Sequence, residues 1–184
     1  MEHIVLFAGP MGAGKTTAIQ SLSDIPVIST EAANTDRDTA DKATTTVAMD
    51  YGEIMVNDEE KIRMYGIPGQ RRFDFMWRIL RDRAEGMVLL VHNDGPDPVD
   101  AMREFLIEFA DLCERGGVAV GVTRMDVAPG PTLTNYTDVL ERERPDLMVP
   151  VMPVDPRDRG NMEMLLMSMI ANLEMRADYA QVLA

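Results

Sequence analysis

The sequence predicts a doubly wound α/β sandwich, a mixed sheet with one antiparallel edge strand and helices on both faces. Three observations carry this. Apolar runs of strand length alternate with helical-period stretches along all 184 residues. A glycine-rich loop, residues 9–16, follows the first apolar run and opens the first helix. Two runs are joined by a short polar turn, so that one pair is antiparallel in a sheet otherwise built by crossovers.

Taken in order, residues 4–8 (Ile-Val-Leu-Phe-Ala) read as a buried strand and Thr16 to Gln20 as the start of a helix. Residues 31–46 are polar and lack apolar periodicity, and a loop of that length in a compact domain is a functional candidate. Residues 48–56 and 61–67 form the hairpin about Asn57-Asp58-Glu59-Glu60. Pro68-Gly69-Gln70 ends it, and a helix is expected over about 73–83. Residues 87–92 are uniformly apolar, as in a strand covered on both faces. Met102, Phe105, Leu106, Phe109, Leu112 and Cys113 follow at helical spacing. Residues 118–122 are the next buried strand, and 132–144 a weaker helix stopped by Pro145. Residues 147–154 are the last strand, placed at a sheet edge by Pro150 and Pro153. Met162, Leu165, Leu166, Met169, Ile170 and Leu173 mark the closing helix. One domain is expected over 1–175, with 176–184 a frayed or partner-ordered tail.

The most specific chemistry lies in residues 9–16, Gly-Pro-Met-Gly-Ala-Gly-Lys-Thr, a complete P-loop. Its glycines let backbone N–H groups turn inward around phosphate oxygens, and the helix N-terminus adds partial positive charge. Gly9, Pro10, Met11, Gly12, Ala13, Gly14 and Thr17 would line the nucleotide. Lys15 would reach the β- and γ-phosphates, and the Thr16 hydroxyl would ligate Mg²⁺.

Four motifs in order then resemble the Ras-like small GTPases over nearly the whole chain. The likeness is greatest to the bacterial branch of the gliding-motility MglA proteins and the small GTP-binding proteins of conservon operons. Thr44-Thr45-Thr46 leads into the hairpin as switch I does, and the resemblance gives Thr46 the Mg²⁺ and γ-phosphate, with Thr45 the alternative. Gly66-Ile67-Pro68-Gly69-Gln70 is similar to switch II. There Gly69 would give its N–H to the γ-phosphate and Gln70 would orient the attacking water. The family commonly has an Asp where this chain has Gly66. With no carboxylate at that position, Mg²⁺ is expected to rest on Thr16, Thr46 and the phosphates, with weaker Mg²⁺ dependence.

Thr123-Arg124-Met125-Asp126 resembles the base-reading Asn-Lys-x-Asp motif, with Asp126 as the carboxylate for a guanine edge and Arg124 along the base. Asp155-Pro156-Arg157 stands where the family has Ser-Ala-Lys. The alanine N–H that binds the guanine O6 is absent from Pro156, which puts purine selectivity in question.

The resemblance implies a switch that binds GTP and GDP with Mg²⁺ and signals through residues 31–46 and 66–77. It implies slow hydrolysis unless an arginine, with Arg71, Arg72 and Arg37 as candidates, stabilises the transferred phosphoryl. It also implies a Roadblock-type activator, met by residues 51–56 of the hairpin and the Phe73-Phe75-Met76-Trp77 cluster. An ATP-using P-loop kinase or ATPase, and a nucleotide-binding scaffold without hydrolysis, remain alternatives.

Composition bounds the rest. A net charge of −13 argues against nucleic acid and against anionic membrane surfaces. No stretch reaches membrane-spanning length and no lipidation signal is present, so no membrane anchor and a cytoplasmic location are expected. A single cysteine, Cys113, suits a reducing compartment and reads as a buried apolar residue. Most of the 16 methionines are expected as core filler. His92 reads as a strand-end residue with no zinc-type cluster around it.

Overall fold

The computed structural model describes residues 2–29, 49–69, 79–127 and 129–183. Its elements run β1 (Glu2–Ala8), α1 (Lys15–Leu22), β2 (Ile28–Ser29), β3 (Asp50–Asn57), β4 (Glu60–Gly66), β5 (Gly86–His92), α2 (Pro98–Glu108), α3 (Ala110–Glu114), β6 (Val118–Thr123), α4 (Leu133–Glu143), β7 (Val151–Pro153) and α5 (Arg159–Leu183). The sheet has the order β2-β3-β4-β1-β5-β6-β7. β4, β1, β5, β6 and β7 are mutually parallel, and β3 pairs antiparallel with β4. β3 is not the edge: the two-residue β2 pairs antiparallel outside it, so the outermost strand on that side again points the way of β4.

The period-two alternation of strand side chains builds two cores. Leu6, Ala8, Met87, Leu89, Val91, Val120 and Val122 face one side, where Met102, Phe105, Phe109, Leu112 and Tyr136 of α2, α3 and α4 cover them. Val5, Phe7, Val88, Leu90 and Ala119 face the other, against Ala18, Ile19 and Leu22 of α1 and Met162, Leu165 and Met169 of α5. The uniformly apolar β5 and β6 are buried on both faces, as their composition demands. Cys113 is buried, and burial pushes its thiol up to about 12. The methionines of the closing helix divide: Met162 and Met169 are core, whereas Met164 and Met167 are 63% and 62% exposed.

Two expectations are corrected. The last strand is only Val151–Pro153, because prolines at 150 and 153 withhold ladder donors. The closing helix runs through Leu183, so residues 176–183 extend it; adding turns to an existing helix costs little. The helix expected over 73–83 is described only from residue 79, and residues 79–81 are helical. No helix among the described residues is long and apolar enough to cross a membrane.

Candidate functional site

All five parallel strands end at the same rim, and the segments that leave them line one open cleft of about 1100 Å³. It is walled by the loop after β1, the Gly66–Gly69 segment after β4, residues 123–127 after β6 and residues 153–157 after β7. Binding at the carboxyl ends of parallel strands is what this architecture favours. β3 runs the other way, so its first residue, Asp50, arrives at that same rim.

The loop after β1 takes its shape from three glycines in conformations that L side chains rarely adopt, Gly9 (φ 135°), Gly12 (φ 81°) and Gly14 (φ 99°). Gly9 is constrained further, since a Cβ there would lie 1.9 Å from the Leu90 carbonyl oxygen. Gly14 caps α1 without a side chain, leaving the first-turn N–H groups to an external acceptor. Lys15 Nζ donates to the carbonyls of Gly9 and Pro10, both at 2.8 Å. Burial lowers its pKa to about 8, against a smaller opposing effect of the Asp50 charge. Such an ammonium, partly desolvated and held in the loop, is suited to a phosphate.

Thr16 Oγ1 donates to Asp50 Oδ2 at 2.5 Å, and the Ser29 hydroxyl donates to Asp50 Oδ1. Gly66, the Cα partner of Asp50 across the hairpin, lies directly opposite. Position 66 carries no carboxylate, and the Asp50 carboxylate of β3 stands opposite it. Thr16, Ser29 and Asp50 offer oxygen atoms at this corner, the donor type a hard cation such as Mg²⁺ takes. Among the described residues no three His, Cys, Asp or Glu side chains gather as a metal cluster, so a cation here would need nucleotide oxygens as well. Gly69 rests on the phosphate loop: a Cβ on it would meet Gly9 O at 2.5 Å and Met11 N at 2.9 Å. Only a glycine lets the segment after β4 lie that close. Thr46, Gln70, Arg71, Arg72, Arg37 and the Phe73–Trp77 cluster lie outside the described residues.

The two base-side segments are tied to the phosphate loop. Thr123, buried at the end of β6, donates to Ala13 O at 3.3 Å and so ties the end of β6 to the phosphate loop. Arg124 adopts φ 59°, unusual outside glycine, and its guanidinium holds Asp94 at 3.1 Å and Gly12 O at 3.1 Å. Its head is thus engaged by the loop and the strand end. Asp126 is exposed at the cleft. Pro156 packs on the phosphate loop, with its Cγ 2.8 Å from a Cβ placed on Gly14.

The loop of residues 155–158 keeps its N–H groups to itself. Asp155 N donates to Asn161 Oδ1 at 3.2 Å, Arg157 N to Asp155 Oδ1 at 2.9 Å, and Asp158 N to Asp155 O at 3.0 Å. Pro156 has none. The Arg157 guanidinium also grips Asp155 at 2.7 Å and holds that carboxyl down at about 2. The backbone N–H groups of Asp155, Arg157 and Asp158 are thus all engaged within the turn and by Asn161.

Sequence reasoning missed three contributors. Asp50 looked like an ordinary strand residue. Asn93, 3% exposed at the end of β5, accepts from the Tyr136 hydroxyl at 2.7 Å and donates its N–H to Thr123 O at 2.9 Å. Asn161 orients the 155–158 turn from α5. His92 stands at the end of β5 as the ladder partner of Thr123, and burial lowers its pKa.

A family model described as "Conserved hypothetical ATP binding protein" matches residues 26–176, a span that begins after the phosphate loop. No curated protein matches the chain. The chain is one of a fold shared by 1325 matching solved chains, a breadth that speaks to architecture and not to substrate. One of these is the G domain of the T. maritima FeoB iron transporter, with TM-score 0.62 and 16% identity over 94% of this chain and 99% of that one.

Proposed function

We propose that this chain, which belongs to the family described as conserved hypothetical ATP binding protein, is a nucleotide-dependent switch that binds GTP and GDP with Mg²⁺. It hydrolyses GTP slowly. The observation that carries the reading is the lacing of base-side segments onto the phosphate loop, Thr123 to Ala13 O and Pro156 against Gly14. A nucleotide that fills the cleft thereby touches both halves of one rigid frame.

In this reading the loop N–H groups and Lys15 hold the phosphates, and Asp126 accepts from donors on the base edge. Thr16 and Thr46 would be among the residues that hold Mg²⁺, which would supply charge neutralisation at the phosphates. Gly69 lies on the loop where a γ-phosphate would displace or anchor it, which couples the segment 66–77 to nucleotide state. The chemistry is positioning and electrostatics, with Gln70 orienting water and Arg71 or Arg72 stabilising the transferred group. The exposed apolar tip of the hairpin, Met55 and Val56, is the face we assign to a Roadblock-type activator.

A second reading, adenine nucleotide, is favoured by the spent donors of residues 155–158 and by the family's description. A guanine O6 finds no free backbone N–H in that turn, whereas adenine's exocyclic amino group needs an acceptor. The deciding experiment strips the protein of nucleotide and titrates labelled GDP against GTP, GDP, ATP and ADP, with and without Mg²⁺. Guanine preference supports the switch; equal or better competition by adenine nucleotides overturns it in favour of an ATPase or kinase.

A further inference from the structure

We propose that Asp50 supplies the carboxylate of the Mg²⁺ site in place of a side chain at Gly66. This rests on the Mg²⁺-nucleotide reading above and adds a ligand-binding residue that the motifs do not contain.

The argument begins with the hairpin register. Asp50 and Gly66 are Cα partners at the rim end of β3 and β4. A Cβ built on Gly66 would lie 3.0 Å from Asp50 Cβ and 3.2 Å from Asp50 Oδ2. The Asp50 side chain therefore fills the space that a side chain at position 66 would enter. A side chain at 66 would press on Asp50, so glycine at 66 leaves the space that aspartate at 50 occupies.

Asp50 is also correctly partnered for the task. It takes the Thr16 hydroxyl proton on Oδ2, which leaves the Thr16 oxygen lone pairs free to face a cation. Ser29 holds Oδ1, so the carboxylate is oriented from both sides. Such outer partners fix ligand orientation and tune affinity. Both Thr16 and Asp50 line the cleft beside Lys15. Mg²⁺ is bound by one or two carboxylates together with phosphate oxygens and waters, so one Asp, one Thr hydroxyl and a nucleotide make a sufficient set. The alternative occupant of this geometry is a plain cap, in which Asp50 only steadies Thr16.

The test uses the full chain and labelled GDP and labelled ADP as probes, with release followed across a free Mg²⁺ titration set by EDTA. Wild type is expected to release its probe faster as Mg²⁺ falls. Asp50→Asn, which keeps the shape and an acceptor for Thr16, is expected to need about 10–100-fold more Mg²⁺ for half-retention. Asp50→Glu is expected to recover part of that loss. The swap Asp50→Gly with Gly66→Asp is expected to return the Mg²⁺ midpoint toward wild type, whereas Asp50→Gly alone does not. An unchanged midpoint in folded Asp50→Asn overturns the proposal in favour of the cap. A swap no better than Asp50→Gly overturns the claim that the two positions substitute for one another. Failure of the underlying reading is separately visible: wild type would then retain neither probe, or release both at a rate indifferent to Mg²⁺.

Discussion

Tyr136→Phe tests whether the base-side strand ends are held by a buried polar pair far from the recognised motifs. Tyr136 is fully buried on α4, and its hydroxyl donates to Asn93 Oδ1 at 2.7 Å. Burial pushes the phenol up to about 12, so it remains a donor at any ordinary pH. Removing the hydroxyl leaves a buried acceptor on Asn93, which costs about 1–3 kcal/mol. For a domain of this size each kcal/mol lowers Tm by about 2–4 °C, so a fall of about 2–12 °C is expected. Asn93 N donates to Thr123 O at 2.9 Å, next to the Thr123–Ala13 tether. The loss should therefore also weaken nucleotide binding, through position and not through contact. Thermal unfolding and labelled-nucleotide titration of Tyr136→Phe, Asn93→Leu and the double variant form a cycle. Removing both partners leaves no orphan acceptor, so the double variant should lose less than the sum. Strictly additive losses, or a Tyr136→Phe protein with wild-type Tm, would refute the pairing argument.

Three further outcomes are expected. Lys15 titrates near 8 in the free protein, and phosphates should raise that pKa. Nucleotide binding should therefore take up a proton at pH 9 but not at pH 7, with affinity falling up to about tenfold per pH unit above 8; calorimetry in buffers of different ionisation enthalpy reads the uptake directly. Pro156→Ala restores an N–H beside Gly14 and should raise the GDP-to-ADP affinity ratio by about tenfold, within the worth of one hydrogen bond; competition binding with an unmoved ratio counts against the O6 argument. His3 lies 2.7 Å from both Glu85 and Glu60, and the Glu85 hydrogen bond first among these contacts raises its pKa. A raised folded pKa stabilises fully below about 6.5 and is lost as pH rises through the folded value. The stability difference between wild type and His3→Gln should thus be present at pH 6 and vanish by pH 9 in denaturant melts.

What was legible in the sequence is what is contiguous. The phosphate loop carries its own conformation in three glycines and its own charge in Lys15, so residues 9–16 specify their geometry without help from the rest of the chain. The apolar runs of β5 and β6 likewise state their double burial. Asp50 could not be read this way. Its meaning depends on lying opposite Gly66, and that register is set by the hairpin turn together with a shift between Met55 and Asn57. A one-residue slip would turn Asp50 to the other face. Tyr136 and Asn93 are 43 residues apart, and neither has a local partner to betray the pair. Residues 176–183 carry no strong apolar period, yet they continue α5 because the turns before them are already packed on the sheet.

The residues 155–158 show how an absent motif can still be informative. Pro156 alone says that one N–H is missing. The structure adds that the neighbouring backbone N–H groups are engaged by Asp155 and Asn161, so none of them can substitute without breaking an internal bond. Asp155 is held ionised by Arg157, and its grip on the Arg157 N–H is part of what keeps the turn closed. Selectivity at this site is therefore a property of the turn's own hydrogen bonding more than of one substituted residue. It follows that Asp155→Ala, which frees the Arg157 N–H, should shift base preference in the same direction as Pro156→Ala. If competition binding shows Asp155→Ala moving toward adenine instead, the freed N–H does not serve a guanine carbonyl, and the argument from the turn's hydrogen bonding is refuted.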